Sequence, residues 1–393
     1  MRTAGIIAEY NPIHLGHVYH IDQTRRRLGD NSAIVCVMSG NYVQRGDFAV
    51  FNKHARAGMA MRCGADLVIE LPSPYALSSA KGFARAGVYI LDSLGVCDII
   101  SFGSESGDIV ALMEAAGAIV SGEAEAVIRE CLGMGLPYAS AQQKAADAVL
   151  GAKSEIFRSP NNLLGIEYIK AVNELGSALR PVTVARAGGS HDGDSGCSAS
   201  LIRKSLLRGD KPWGYMPQAA AAACAGEIAS GRGPVSMMKC ELAMLSRLRA
   251  MEDLSKLPDA SEGLDRRLSR YIASEPTVGG ILEKVKTKRY AMSRLRRMLM
   301  CACLGISAED TAKPPPYARV LAMNSTGMRL LGTARKSTRI PVITKPASVH
   351  KLSGRAVDLL CKEAAATDFY VLGYQNESNR SGGQEWRQTP VIR

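Results

Sequence analysis

The feature that most constrains the fold is the tetrapeptide His14-Leu15-Gly16-His17, near the start of the chain. An apolar run over residues 4–8 predicts a buried strand before it, and residues 16–28 predict a helix after it. A helix N-terminus presents unpaired N–H groups and a partial positive charge, and a glycine there lets a ligand approach the backbone closely. Two imidazoles beside that turn can donate hydrogen bonds to phosphate oxygens. The motif therefore predicts a nucleotide site at the first strand-turn-helix junction.

The first half of the chain alternates segments of strand and helix character. Predicted strands lie at residues 4–8, 33–38, 66–71, 98–102 and 182–185, and predicted helices at 16–28, 53–63, 80–94 and 198–207. This rhythm predicts an α/β fold with a parallel, doubly wound, Rossmann-like sheet, interrupted by a helical insertion over residues 108–180. Ligands of such sheets bind at the carboxyl ends of the strands, where His14, Ser39 and Gly103 fall.

The second half predicts a different organisation. A chain of 393 residues can form two domains, and we predict a nucleotide-binding domain over 1–208 and a mainly helical, basic domain over 235–393. A segment rich in Gly, Pro and Ala over 209–234 forms the predicted junction. Predicted helices lie at 235–251, 263–273, 278–286 and 290–305, predicted short strands at 320–323, 340–344 and 369–372, and a predicted loose tail at 376–393.

Charge is divided unevenly between the two halves. Residues 1–206 carry 19 Lys+Arg against 20 Asp+Glu, whereas residues 207–393 carry 30 against 17, so the whole basic excess lies in the second half. This asymmetry indicates that one half handles a small ligand and the other a polyanion. The densest basic stretch holds no acid, and its members are the candidate nucleic-acid contacts: Lys284, Lys286, Lys288, Arg289, Arg294, Arg296 and Arg297. The alternative is a solvated helix face.

Several classes of protein are disfavoured. Uncharged apolar runs are too short to span a membrane, and the N-terminus shows no secretion signal. Ten cysteines without a CxxC pair disfavour structural zinc and lead us to expect a reduced, cytoplasmic protein. We find no Walker A motif, no Ser-His-Asp arrangement and no metal-ligand cluster. His14 and His17 could ligate a metal, but a glycine turn before a helix favours phosphate.

Seven sequence blocks carry a specific resemblance, and they lie in order at residues 5–17, 38–46, 64–72, 159–168, 198–203, 315–321 and 341–344. Together they resemble the bacterial tRNA(Met) cytidine acetate ligase family, whose members carry an HxGH motif on a nucleotidylyltransferase-like fold. The resemblance therefore covers nearly the whole chain. Ile13 and Leu15 depart from the expected Phe and Asn, but both lie between the key residues.

The resemblance implies a two-step reaction. ATP, accompanied by Mg²⁺, and acetate would give acetyl-adenylate and pyrophosphate, and N4 of the wobble cytidine of elongator tRNA(Met) would then take the acetyl group and release AMP. Implied catalytic residues are His14, His17, Ser200 and Arg203, the last two at the β- and γ-phosphates. Implied ATP contacts are Ile7, Ala8, Glu9, Tyr10, Asn11, Pro12, His14, Gly16, His17, His20, Gly103, Asn161, Asn162 and Arg186, with the choice between the two asparagines open.

A loop after the second predicted strand is expected to face the second substrate. Its candidate residues are Ser39, Asn41, Gln44 and Arg45, together with Lys53 beyond it. Arg45 or Lys53 could attract the acetate carboxylate, but either could equally pair with Asp47.

Two other functions stay open. A nucleotidylyltransferase that adenylylates a small phosphorylated metabolite would share the HxGH chemistry but leave the basic half without a role. A nucleic-acid-binding protein that only senses ATP would not need the predicted catalytic residues. Binding of tRNA separates the ligase from the first, and pyrophosphate release separates it from the second.

Overall fold

The computed structural model describes residues 1–29, 31–186, 198–352 and 354–393. Its strands are β1 Arg2–Ala8, β2 Ser32–Ser39, β3 Tyr42–Val43, β4 Asp47–Phe48, β5 Leu67–Leu71, β6 Ile99–Ser104, β7 Arg180–Ala185, β8 Ala318–Met323, β9 Val342–Ile343 and β10 Val391–Ile392. Its α-helices are α1 Leu15–Leu28, α2 Lys53–Arg62, α3 Ser73–Ala76, α4 Ala80–Leu94, α5 Ile109–Ala118, α6 Gly122–Gly133, α7 Tyr138–Leu150, α8 Pro160–Glu174, α9 Ala199–Arg208, α10 Gln218–Ala229, α11 Glu241–Arg249, α12 Leu264–Ser274, α13 Val278–Val285, α14 Met292–Leu304, α15 Ala308–Ala312, α16 Ser325–Ser337, α17 Arg355–Val371 and α18 Gln384–Arg387.

The central sheet has the strand order β10-β8-β5-β2-β1-β6-β7, with β9 paired to β8. Strands β5, β2, β1, β6 and β7 are mutually parallel, in the order 3-2-1-4-5 of a Rossmann-like fold. The order reverses between β1 and β6, and that switch point opens a crevice at the carboxyl ends of the strands. The predicted doubly wound parallel sheet is confirmed.

Burial explains why the parallel strands form where they do. All eight residues of β2 are buried, because helices cover both faces of the sheet, and the strand is accordingly a nearly continuous apolar run. The helix α4 lies directly on β1, since a Cβ on Gly5 would come within 2.5 Å of a Leu91 methyl carbon. Glycine at this position therefore permits close packing of helix on strand.

The insertion between β6 and β7 is helical, as predicted, and comprises α5 to α8. Its last helix returns to the sheet, where a Cβ on Gly165 would come within 2.6 Å of the Phe102 ring. The strand β6 and the helix α8 are thus in close contact at Phe102. This packing brings the start of α8 to the carboxyl edge of the sheet.

The second half contributes both a helical layer and three strands. Helices α11 to α14 pack with α17 around a separate apolar core that includes Leu268, Ile281, Leu295 and Met298. The strand β8 then enters the main sheet antiparallel to β5, and β9 and β10 pair with β8. Residues 318–393 therefore share a sheet with the first half instead of belonging only to the helical region.

Two expectations about the C-terminal region are wrong. Residues 369–371 lie in α17 and not in a strand, because their aromatic side chains pack into the helical core as part of a 17-residue helix. Residues 376–393 are not a loose tail. Glu385 is fully buried and ion-paired, and β10 pairs with β8. Within the described ranges, no helix combines the length and the apolar content needed to cross a membrane.

Candidate functional site

A cavity of about 570 Å³ opens at the carboxyl ends of β1, β6 and β7. It lies at the switch point of the sheet, where the fold predicts a ligand. The lining residues are Ile6, Ile7, Ala8, Glu9, Tyr10, His14, Gly16, His17, Tyr19, His20, Gln44, Arg45, Ala80, Phe83, Phe102, Gly103, Pro160, Asn161, Leu163, Leu164, Tyr168, Val184, Ala185, Arg186 and Ser293. Most of the residues proposed from the sequence as ATP contacts therefore meet in one cavity.

The two motif histidines form the N-terminal cap of α1. The Gly16 N–H donates to His14 Nδ1 at 3.1 Å, and the His14 N–H donates to His17 Nδ1 at 3.2 Å. Their ring centroids are 3.8 Å apart. Because each Nδ1 accepts a hydrogen bond, a neutral ring carries its proton on Nε2. Neither Nε2 has a hydrogen-bond partner in the described part of the chain, so two N–H donors are available at the cavity.

All three histidines of this region are held neutral near pH 7. Burial, assisted by Arg186 and Arg203, lowers the pKa of His14 to about 4. Burial and the neighbouring His14 and Arg186 lower the pKa of His17 well below its ordinary value. Burial, Arg186 and Arg27 lower the pKa of His20 to about 4, and its Nε2 lies 3.0 Å from Ser101 Oγ. Charge for phosphate binding must therefore come from the arginines, and directional donors from the imidazoles.

The turn between β1 and α1 is fixed by its own polar side chains. Glu9 Oε1 accepts the Gln44 N–H at 2.8 Å, and Asn11 Oδ1 accepts the Val50 N–H at 2.8 Å. Tyr10 has a φ of +43°, an unusual conformation for a side chain of its size. Asn11 is buried and, like Pro12, does not line the cavity. These two residues shape the turn, and the residues before them face the cavity.

Asn161 and Asn162 lie in two different environments. Asn162 is buried, and its Oδ1 accepts the backbone N–H groups of Glu105 and Ser106 at 2.9 and 3.1 Å. Asn161 lines the cavity, and its Nδ2 donates to Glu105 Oε1 at 2.6 Å. Asn161 is therefore the asparagine that is placed to meet a ligand.

Gly103 and Arg186 lie on the opposite wall, at the ends of β6 and β7. A Cβ on Gly103 would make only ordinary contacts, the nearest being Arg186 Cγ at 3.5 Å. The fold therefore does not require glycine there. Its bare backbone instead leaves room in the cavity for a ligand.

Ser200 and Arg203 lie on α9, outside the cavity lining. Ser198 caps this helix by accepting the Leu201 N–H at 3.2 Å. Arg203 donates from Nη1 to the Asn11 carbonyl at 2.8 Å and so supports the turn that carries the histidines. The structure thus places Arg203 beside the motif, while a contact from Ser200 or Arg203 to phosphate remains a prediction.

The loop after β2 divides into cavity-facing and buried parts. Gln44 and Arg45 line the cavity, whereas Ser39 and Asn41 are buried. Asn41 Oδ1 accepts the backbone N–H of Lys53 at 2.9 Å.

The expectation that Lys53 could attract acetate does not fit its surroundings. Its side chain is 1% exposed, and its Nζ lies 2.6 Å from Glu70 and 3.0 Å from Glu385. Two buried carboxylates already neutralise this ammonium, which lies outside the cavity lining. Lys53 therefore serves a buried ion cluster. Its partners lie 17 and 332 positions away and could not be read from local sequence.

The basic residues proposed to contact nucleic acid fall into two groups, those with polar partners and those without. Arg289 and Arg294 pair with Glu262, and Arg297 pairs with Asp259. Lys286 donates to the carbonyls of Thr287 and Tyr290. The basic stretch contains no acid of its own, and its acidic partners come from the segment between α11 and α12. Lys284, Lys288 and Arg296 have no polar side-chain partner within the described ranges.

Sequence reasoning missed part of the cavity wall. Phe83, Leu164 and Tyr168 form an apolar surface on α4 and α8, and Ser293 reaches the cavity from α14. Leu164 and Tyr168 fall in the sequence block over residues 159–168, so that block could have indicated this part of the wall. Nothing near Ser293 in the sequence indicates its position, because it depends on packing between distant elements.

Comparison with known proteins agrees with this geometry. Residues 1–385 match the family described as HIGH Nucleotidyl Transferase, and the chain belongs to that class of protein. Within the class, it is 36% identical to the tRNA(Met) cytidine acetate ligase of Acetivibrio thermocellus, over 100% of both chains. It is also 36% identical to the enzyme of that name from Caldanaerobacter subterraneus, over 96% of both.

A solved structure extends the same relation to the fold. The crystal structure of Thermotoga maritima TmcAL bound with alpha-thio ATP has a TM-score of 0.91 and 30% identity, covering 100% of this chain and 99% of that one. The chain therefore belongs to the tRNA(Met) cytidine acetate ligase family. The resemblance drawn from the sequence blocks is confirmed.

Proposed function

We propose that this chain is an ATP-dependent ligase that acetylates N4 of the wobble cytidine of elongator tRNA(Met). An acetate oxygen attacks the α-phosphorus of ATP, the α–β phosphoanhydride bond breaks, and pyrophosphate leaves. The cytidine N4 then attacks the acetyl carbonyl carbon, the bond to AMP breaks, and N4 loses a proton. Activation is required because free acetate is a poor acyl donor and the exocyclic amine is a weak nucleophile.

One observation carries this proposal. The chain aligns over its full length with ligases of that name, so the relation includes both the HxGH sheet and the basic helical region. A metabolite adenylyltransferase would share only the first of these. The Thermotoga maritima relative is bound to an ATP analogue, which supports ATP as the nucleotide for this cavity.

The residues have distinct roles in the activation step. The Nε2–H groups of His14 and His17 donate to phosphate oxygens as charge grows on them, without needing a protonated ring. Arg186 supplies positive charge at the same cavity, and the bare backbone at Gly103 and the amide of Asn161 accommodate the nucleoside. Gln44 and Arg45 lie at the part of the cavity that we assign to acetate.

The remaining assignments follow from the substrates. Mg²⁺ enters as part of the ATP complex, and the described residues include no group of three or more His, Cys, Asp or Glu that could hold an ion. The basic helical region is assigned to tRNA, a polyanion that needs such a surface. ATP and tRNA are both cytoplasmic, and we assign the protein to that compartment.

The test is transfer of labelled acetate into purified elongator tRNA(Met), with ATP present or omitted. We expect ATP-dependent label in the tRNA, with AMP and pyrophosphate formed in equal amounts. A transcript whose wobble cytidine is replaced by uridine is the matched control and should stay unlabelled. Absence of label from the cytidine-containing tRNA, together with pyrophosphate release on a phosphorylated metabolite, would contradict the proposal.

A further inference from the structure

Arg296 has no role in the activation step proposed above, and it lies where the loop after β2 contacts α14. A Cβ on Gly46 would come within 2.3 Å of the Arg297 backbone nitrogen and 2.7 Å of Arg296 Cβ. The loop is therefore pressed directly onto this helix. Arg45, the residue before Gly46, lines the cavity, so Arg296 lies beside the loop that forms part of the cavity wall.

Helix geometry places a second side chain on the same face. Ser293 and Arg296 are three positions apart on α14 and therefore share one face of the helix. Ser293 lines the ATP cavity. One end of this face thus reaches the nucleotide site, and the other carries an arginine that is half-buried beside the loop.

Charged side chains of both signs lie near the contact between the loop after β2 and α14. Burial raises the pKa of Asp47, and the charges of Arg296 and Arg203 oppose that shift. Burial lowers the pKa of Arg203, where Glu9 opposes the shift and Arg45 adds to it. The charge of Arg296 thus acts on Asp47, while Arg203 is shared between Glu9 and Asp47. Arg296 itself makes no hydrogen bond or ion pair in the described part of the chain, and its Nε is buried without a partner.

Two other cations of the basic stretch are also unpaired within the described residues. Lys284 and Lys288 are exposed and lie on the segment that leads into α14. Their neighbours Arg289 and Arg294 are held by Glu262, so those side chains stabilise the fold. Of the basic residues over 284–297, Lys284, Lys288 and Arg296 are therefore the ones whose side chains make no hydrogen bond or ion pair within the described residues.

We propose that Arg296, with Ser293, binds a backbone phosphate of the RNA strand that delivers the reactive cytidine, and that this strand enters the cavity over the edge where the loop after β2 contacts α14. This inference rests on the proposed function and adds the entry route to it. An unpaired guanidinium suits a phosphate, which it can bind through two N–H groups. The triphosphate of ATP is the other source of phosphate at this cavity, and the experiment distinguishes the two.

The test compares Arg296→Gln, Arg296→Lys and Arg329→Gln, the last an exposed arginine on α16 that serves as a matched loss of charge. Acetate-dependent exchange of pyrophosphate into ATP, without tRNA, reports activation alone. Acetylation of tRNA(Met) reports the complete reaction. We expect Arg296→Gln to raise the KM for tRNA about tenfold, because one charge-assisted phosphate contact is lost, and to act on exchange no more than Arg329→Gln does.

Salt dependence separates a phosphate contact from a structural role. Each phosphate contact to single-stranded nucleic acid contributes about 0.7 to the slope of log affinity against log salt. We expect Arg296→Gln to lower this slope by about that amount and Arg296→Lys to restore it. An equal loss of exchange and acetylation would assign Arg296 to ATP and overturn the inference, as would an unchanged tRNA slope. Exchange by the unmodified protein with no acetylation of any tRNA would instead contradict the proposed function.

Discussion

His17 is held by a hydrogen bond from the His14 backbone to its Nδ1, and this leaves its Nε2–H for the ligand. Replacing it with alanine removes that donor from the transition state. We expect His17→Ala to slow acetate-dependent pyrophosphate exchange about 10²–10³-fold, the usual cost of losing one such donor. The cap hydrogen bond is also lost, but at a cost of about 1 kcal/mol the chain still folds. Exchange at the unmodified rate, in a variant with native circular dichroism, would show that His17 is only a helix cap.

The low histidine pKa values predict a specific loss of stability in acid. The pKa of His20 is about 4 in the folded protein, against an ordinary value of 6.5. Between these values the unfolded chain binds more protons, so the free energy of unfolding falls as the pH falls from 6.5 to about 4. His20→Gln removes this contribution and should lose less stability over that range in urea unfolding.

Comparing the two chains cancels the other titrating groups. Glu363, for example, has a pKa raised to about 7 by burial and by Glu70, and it contributes with the opposite sign. That contribution is the same in both chains. Identical pH slopes for the unmodified protein and His20→Gln would show that the His20 ring is protonated to the same extent in both states.

Residue types near the turn could be predicted from sequence, but their partners could not. The spacing of His14 and His17 after an apolar run predicted a phosphate site, and both residues line the cavity. The same reasoning proposed Lys53 as an acetate contact and found no acidic partner for Arg297. Their partners, Glu385 and Asp259, are 332 and 38 positions away and are brought close only by folding.

At the scale of elements, an added methyl group should have opposite effects at two glycines near Phe102. Gly103 on β6 has room for a Cβ, but that Cβ would occupy the cavity. Gly165 on α8 faces the Phe102 ring at 2.6 Å. We expect Gly103→Ala to raise the KM for ATP and leave the unfolding free energy nearly unchanged. Gly165→Ala should lower that free energy by about 1–3 kcal/mol through overpacking.

Pyrophosphate exchange and urea unfolding, measured on both variants, check this pair. The two substitutions add the same methyl group within one neighbourhood, so each serves as the control for the other. A loss of stability in Gly103→Ala equal to that in Gly165→Ala would mean that Gly103 is needed by the fold and not by the nucleotide.

Local pattern identified most elements, and non-local pairing explains the errors. The strand β2 is a buried apolar run, and its position follows directly from composition. Residues 369–372 form a short apolar run that fits a strand or a buried helix equally well, and only the length of α17 decides between them. The antiparallel entry of β8 beside β5 joins segments about 250 positions apart, which no local pattern encodes.

At the scale of the whole molecule, the C-terminal segment joins the basic half to the sheet. Helix α17 packs into the helical core, and α18 and β10 then return to the catalytic sheet. Charge asymmetry predicted a division of chemistry between the two halves, but it could not show that the chain returns from the helical region to the sheet twice, at β8 and at β10. The basic helical region is thereby joined to the sheet that forms the nucleotide cavity.

Glu385 lies in the C-terminal segment where the chain returns to the sheet. It is fully buried and pairs with Lys53, at 3.0 Å, and with Arg319. Glu385→Gln would leave these two buried cations short of negative charge, and we expect it to lower the unfolding free energy by about 3–5 kcal/mol. Glu377→Gln is the matched control in the same segment. Glu377 is 85% exposed in its pair with Arg380, so its loss should cost less than about 1 kcal/mol. Equal midpoints in urea for both variants would show that the buried cluster does not hold the C-terminal segment to the sheet.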